Sequence, residues 1–183
     1  MNNIKVNGQT INAFIRGLGS AADLGKEILA AHGIKHISDT EWYPVSQYLS
    51  AYREIELEIG ANTLFNIGKK IPDSAQFPPE VDNIEKGLSA IDVAFHMNHM
   101  QNGKPMFDPA TGRMEEGIGH YSFQLTGDRS AQMVCDNPYP CDFDRGIITA
   151  MARKFEPLAE VELDTTKESR KSGATSSTYI IRW

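Results

Sequence analysis

The chain has 183 residues, of which 40% are hydrophobic and 23% charged, and this composition is typical of a globular protein rather than a disordered one. The length predicts one domain over residues 1–183 with a core of its own. A net charge of −6 favours solubility and argues against nucleic acid or an anionic membrane as the main partner. The two cysteines and the absence of a signal sequence or a membrane-spanning run predict a cytoplasmic protein with reduced thiols.

Residues 1–101 read as a mainly helical part. Apolar spacing predicts a short strand at residues 4–6 and then helices over 10–33, 44–59, 62–70 and 82–101, with Ser20 capping the second helix of the first range. The longest of these helices has Ile84, Leu88, Ile91 and Phe95 on one face. The proline-rich stretch 71–81 predicts a loop, and the polar stretch 102–117 predicts a surface excursion or lid.

Residues 118–183 change to an alternating period that predicts two hairpins around one helix. The strand-like runs are 118–126, 131–135, 159–164 and 177–183. Between the hairpins, Asp142 or Asp144 caps a helix that ends at Phe155, and its apolar stripe recurs every four residues. The predicted fold class is therefore α+β, with N-terminal helices packed on an antiparallel sheet of four to five strands and a β-β-α-β-β C-terminal half.

The most suggestive polar set is on the long helix. Asp92, His96 and His99 are spaced i, i+4 and i+7, so one helix face can present a carboxylate and two imidazoles. Such a face is half of a metal site or offers a haem ligand, whereas the plainer interpretation is the solvated side of an amphipathic helix. A single helix cannot complete a tetrahedral site, although His120, on a strand, could converge on it.

No catalytic motif is evident. The sequence has no GxSxG, no glycine-rich phosphate loop and no HExxH, so it favours a role other than catalysis. Cys135 and Cys141 are not spaced as CxxC and are interpreted as packed thiols. Aromatic residues can line an apolar pocket or form ordinary core; they are Trp42, Tyr43, Tyr48, Tyr52, Phe65, Phe95, Phe107, Tyr121 and Phe123.

The order helices, hairpin, helix, hairpin, with the closing segment 169–180, resembles the 4-vinyl reductase domain. That family shares a ligand-binding superfamily with haem nitric-oxide-binding domains and Golgi transport tethering subunits. Its members usually end in Cys-x3-Gly-x3-Cys before a strand, and here Gly173 is in place but Ser169 and Ser177 replace the cysteines. In phenol-sensing relatives those cysteines and an upstream one, which Cys141 resembles, bind structural zinc. With two thiolates missing, we expect no zinc site.

The resemblance implies a small-molecule-binding sensory domain with an apolar pocket between helices and sheet. The expected lining is Trp42, Phe95, His96, His99, His120 and Tyr121. The same resemblance implies a homodimer through the N-terminal helices. Ligand capture would then shift packing against the helix that ends at Phe155 and signal to a separate partner protein.

Two alternatives stay open. One is a haem- or metal-dependent gas or redox sensor that uses His96 or His99 as its ligand. The haem-binding relatives also hold propionates with a Tyr-x-Ser-x-Arg pattern, which is absent here, since Tyr48–Arg53 is only loosely similar. The other is an enzyme on a pigment or aromatic substrate, as the name of the family suggests.

Overall fold

A computed structural model describes residues 3–183, which form six α-helices and ten strands. The helices are α1 Gly8–Gly17, α2 Ala22–Ala31, α3 Val45–Glu58, α4 Ala61–Lys70, α5 Ile84–Met97 and α6 Cys141–Phe155. The strands are β1 Ile4–Asn7, β2 Trp42–Pro44, β3 His99–Gln101, β4 Lys104–Pro105, β5 Phe107–Asp108, β6 Arg113–Met114, β7 Tyr121–Gly127, β8 Ser130–Cys135, β9 Glu160–Leu163 and β10 Ser177–Arg182. The α+β prediction is confirmed, including the β-β-α-β-β order after residue 118.

The C-terminal sheet has the order β7-β8-β10-β9, and all of its pairs are antiparallel. Along β8, the side chains of Ala131, Met133 and Cys135 are buried and alternate with less buried neighbours. Helix α6 packs on β9 and β10 of this sheet, and the stripe that the spacing predicted is buried on its side toward α5, since Met151 lies against Gly87 and Phe143 and Ile147 are part of the core. The sheet and α6 therefore form the core of the C-terminal half.

A second sheet, with the order β2-β1-β3-β4, joins the start of the chain to the end of α5. The prediction of one helix over 82–101 is wrong at its C-terminal end, because α5 stops at Met97 and His99–Gln101 is strand β3, paired with β1. Asn98 makes the break: its carbonyl accepts from the Asn7 backbone N–H (3.1 Å), and its side-chain oxygen accepts from the Asn7 amide (2.6 Å). Tertiary pairing with β1 thus ends the helix.

Two predicted helix caps are also wrong. A 3₁₀ turn at Gly19–Ala21 leads into α2, so Ser20 does not cap that helix. Helix α6 begins directly after Pro140, and both Asp142 and Asp144 lie in its first turn, where a carboxylate is stabilised by the helix dipole.

Two glycines let α4 and α6 cross in direct backbone contact. A Cβ on Gly68 would lie 2.1 Å from the carbonyl oxygen of Phe143, and a Cβ on Gly146 would lie 2.3 Å from that of Phe65. Any larger side chain would force the helices apart. This crossing fixes α6 against the N-terminal helices.

The polar stretch 102–117 carries β4 and the small β5–β6 hairpin, so it is more ordered than a simple loop. Within residues 3–183, no helix is both long and apolar enough to cross a membrane. The division of the chain into one domain stays a prediction.

Candidate functional site

A cavity of about 640 Å³ lies between α1, the segment that follows α4, α5 and α6. This volume is within the usual range for small-molecule sites. Much of its wall is apolar, and the apolar lining includes Ile71, Phe77, Ile91, Phe143, Ile147 and Met151. One cationic side chain, Arg16, is among the described lining residues, and it donates to the hydroxyl of Ser74 (2.7 Å). The cavity is suited to a largely apolar ligand.

Helix α5 forms one wall of the cavity through residues that repeat at helical spacing. Ile91, Ala94, Phe95 and Asn98 all line the cavity. They are spaced i, i+3, i+4 and i+7, so they share one face of the helix. His96 is not on that face, and α5 itself therefore presents no histidine to the cavity.

His99 is the imidazole that lines the cavity. Its Nδ1 is 2.7 Å from the carbonyl oxygen of Phe95, and its Nε2 is 2.7 Å from the hydroxyl of Tyr139. Because a carbonyl can only accept, Nδ1 carries the hydrogen, and the Nε2 lone pair accepts from Tyr139. Burial lowers the pKa of His99 to about 4, so the ring is neutral at pH 7 and its single lone pair is the one that accepts from Tyr139.

A buried aromatic cluster connects the cavity to the N-terminal helices. Tyr139 and Phe143 line the cavity and pack against Tyr52, which in turn packs edge-on against Tyr48 and Phe14. The Tyr48 and Tyr52 hydroxyls are 3.1 Å apart, and burial raises the pKa of both phenols. Phenol–phenol contacts of this kind hold the cluster in one arrangement.

Tyr121 reaches from the cavity wall to a buried carboxylate. Its hydroxyl donates to Asp144 (2.6 Å), which also pairs with the guanidinium of Arg170 and accepts from Asn137 (3.4 Å). Burial raises the pKa of Asp144 to about 6, although Arg170 acts in the opposite direction. Arg170 also donates to the Tyr139 carbonyl (2.7 Å). Its guanidinium therefore holds Tyr139 directly and Tyr121 through Asp144.

The residues of the degenerate zinc motif are only partly brought together. Cys141 Sγ lies 3.2 Å from the hydroxyl of Ser177. Ser169 instead forms a capping box with Ser172, in which each side chain bonds the other residue's backbone. Backbone and side-chain donors of Arg170 also reach the Ser177 hydroxyl.

A second polar cluster lies off the cavity, between α5 and the start of β7. Asp92, His96 and His120 each place one potential ligand atom within 4.8 Å of the others. His120 Nδ1 is 3.1 Å from Asp92, and its Nε2 is 2.9 Å from Glu116. The hydrogen bond to Glu116, followed by that to Asp92, raises the pKa of His120.

Of the six residues predicted to line a pocket, Phe95, His99 and Tyr121 do so. His96 and His120 belong to the second cluster, and Trp42, in β2, is half-buried outside the lining. The predicted trio of Asp92, His96 and His99 is divided between the two places. Sequence reasoning missed Tyr139, whose only signal is an aromatic residue between two prolines.

No protein-family model matches the sequence, and no curated protein is significantly similar to it. Solved structures are similar over nearly the whole chain. An H-NOX protein from S. oneidensis in the Fe(II)NO ligation state aligns with a TM-score of 0.65 and 13% identity, over 96% of this chain and 98% of that one. An Fe(II) unliganded H-NOX protein from K. algicida aligns with a TM-score of 0.65 and 13% identity, over 96% and 95%.

An oxygen-binding H-NOX domain related to soluble guanylate cyclases aligns with a TM-score of 0.63 and 14% identity, over 96% of this chain and 94% of that one. At such identities the likeness establishes the fold. The chain thus has the H-NOX fold, and a link to the 4-vinyl reductase family is not shown.

Proposed function

We propose that this chain is a haem-binding gas-sensor domain in which His99 is the axial ligand. One observation carries the proposal: in a chain with the fold of Fe(II)-binding H-NOX proteins, a neutral buried imidazole lines a cavity of about 640 Å³. This favours the haem alternative over a general small-molecule sensor.

The residues present fit haem at the iron. A histidine ligand needs a lone pair on one ring nitrogen and a hydrogen-bond partner on the other. His99 meets both conditions, because Phe95 holds Nδ1–H and Nε2 carries the lone pair. The Tyr139 hydroxyl donates to that lone pair, so it must turn away for His99 to bind a metal.

Fewer residues are suited to holding the haem propionates. The Tyr-x-Ser-x-Arg pattern by which haem-binding relatives hold propionates does not occur in the sequence. Arg16, on α1, is then the cation in the described lining that is available to a haem carboxylate.

Bound haem would supply an iron atom that can bind a diatomic gas. The protein's own groups would hold and enclose that centre. His99 would bind the iron and Arg16 would pair with a carboxylate, while the Phe95 carbonyl orients the imidazole. The apolar walls formed by Phe143 and Ile147 exclude water, which favours capture of a neutral gas.

A second candidate is a haem-free sensor of a small apolar molecule in the same cavity. The His99–Tyr139 hydrogen bond favours it, because this bond satisfies the imidazole without any metal. In that case His99 and Tyr139 would be the polar pair that orients the ligand.

Titration of the purified chain with haemin, followed by its Soret band, tests the proposal. We expect one haem per chain. In His99→Gly the Soret band should move away from the wavelength of histidine-ligated haem, and it should return to that wavelength when free imidazole is added. His36→Gln, which changes an exposed histidine, is the control. Haem binding that is unchanged in His99→Gly would refute the assignment, and saturable binding of apolar dyes without haem uptake would select the second candidate.

Homodimerisation through the N-terminal helices, a separate signalling partner and a cytoplasmic location belong to the same proposal. What supports a partner is the contact of cavity residues with α6 and, through Tyr52, with α3. Sedimentation velocity with and without haem measures the dimer directly. A concentration-independent monomer in both states would contradict that part.

A further inference from the structure

We propose that Asp92, His96 and His120 form a binding site for a divalent transition-metal ion of the zinc type. The site lies off the cavity and does not depend on haem. It brings together two residues of α5 and one residue just before β7. Two imidazoles and one carboxylate are a ligand set that such ions favour over Ca²⁺ or Mg²⁺.

The imidazole of His96 is oriented as a metal ligand would be, and its Nε2 lone pair has no partner among residues 3–183. Its Nδ1 is 2.8 Å from the backbone carbonyl of Asp92, so Nδ1 carries the hydrogen and the lone pair lies on Nε2. The side chain is fully buried. Among the buried side-chain nitrogens and oxygens of residues 3–183, its Nε2 is the one that has no hydrogen-bond partner. A buried lone pair without a partner is costly unless a metal or a donor uses it.

His120 is held in the orientation that a metal ligand needs. Its Nδ1 lies 3.1 Å from Asp92, on the side of the cluster, and its Nε2 lies 2.9 Å from Glu116. An imidazole that binds metal through one nitrogen usually donates its other N–H to a carboxylate. Glu116 supplies that carboxylate from outside the cluster.

Asp92 has one oxygen bonded to the backbone and the other directed at His120. Its Oδ1 accepts from the Tyr121 backbone N–H at 2.8 Å, and Oδ2 faces His120. Ligand atoms of a zinc ion, at about 2.0–2.2 Å from the metal, are about 3–4 Å from one another. The candidate ligand atoms of the three residues already lie within 4.8 Å of one another, so only a small contraction is needed to reach that spacing.

A metal here would clamp the middle of α5 to the start of β7. Three protein ligands leave a fourth position open for water or for an added ligand. Because Ala94, on the opposite face of α5, lines the cavity, the ion would also fix the helix that forms the cavity wall.

Zinc titration of chelator-treated protein in the absence of haem tests the site, with metal content measured by mass spectrometry of the native protein. We expect one Zn²⁺ per chain, and at least about 100-fold weaker binding in His120→Gln, since loss of a ligand exceeds the usual effect of losing an outer partner. Co²⁺ should give the visible absorption of a four-coordinate site in the wild type and not in the variant.

The matched control is His32→Gln, because His32 Nε2 forms a comparable surface pair with Glu54 at 2.7 Å. His120→Gln changes a partly exposed side chain, and its circular dichroism and haemin titration report whether the fold and cavity are intact. His96→Gln gives a second variant at the buried ligand. Equal zinc affinity in the wild type and in folded His120→Gln, or no zinc uptake by the wild type, would overturn the proposal.

Discussion

Replacement of Tyr139 by Phe separates the haem interpretation from the haem-free one. The variant keeps the ring and its packing against Tyr52 and Phe143, and it removes only the hydroxyl that bonds His99 Nε2. The imidazole of the ligand-free protein then has a buried lone pair without a donor. Haem binding would restore a partner to that nitrogen.

The expected magnitude follows from that exchange. A buried acceptor left without its partner costs about 1–3 kcal/mol. Some of this cost is relieved if the side chain shifts, so we expect Tyr139→Phe to destabilise the ligand-free chain by about 1–2 kcal/mol. Coordination returns the same free energy, and haem affinity should rise by about 5- to 30-fold, since about 1.4 kcal/mol corresponds to tenfold.

Haemin titration measures the affinity, and urea unfolding of the ligand-free chain measures the stability. Tyr48→Phe is the control, because it removes a hydroxyl of the same aromatic cluster that bonds Tyr52 rather than His99. Loss of stability in Tyr139→Phe without any gain in haem affinity would refute the reasoning. It would mean that His99 is not the group that the haem iron uses.

Two further predictions concern stability. Gly146→Ala should lower the free energy of unfolding by about 2 kcal/mol or more, because its Cβ would meet the backbone oxygen of Phe65 at 2.3 Å. The control is Gly25→Ala, whose Cβ would meet only the flexible end of Leu18 and which should change the free energy of unfolding by less than about 1 kcal/mol. Equal urea midpoints for the two variants would contradict this. The folded-state pKa of His99, about 4, is below its ordinary 6.5, so its contribution to stability is present above pH 6.5 and lost as the pH falls to 4. Relative to His99→Gln, the wild type should lose about 3 kcal/mol over that interval; parallel stability–pH curves would exclude this.

Local patterns predicted the C-terminal half well because its elements carry strong periodicity. The stripe of α6 and the alternation in β8 are each visible within a few residues of sequence. The sheet formed by β1, β2 and β3 could not be found in this way. Its strands have three or four residues, and they are stabilised by pairing between segments that lie far apart in the chain.

The candidate site shows how one boundary error redistributes side chains. A helix that continued to residue 101 would place His99 on the same face as Asp92 and His96. Because α5 ends at Met97, His99 lies in β3 and lines the cavity, whereas His96 stays with Asp92 and is joined by His120. Sequence spacing therefore grouped into one candidate site residues that the structure places in two.

The two sites share Tyr121 as well as α5. The Tyr121 backbone N–H donates to Asp92 at 2.8 Å, and its hydroxyl donates to Asp144 at 2.6 Å. A shift of α5 on occupation of the cavity would thus change the position of Asp92 and, through Tyr121, the buried pair of Asp144 and Arg170. Because Asp144 belongs to α6, these hydrogen bonds connect the cavity wall to the helix through which the family resemblance implies signalling. They would give the proposed sensor a physical route that variants at Tyr121 can interrupt.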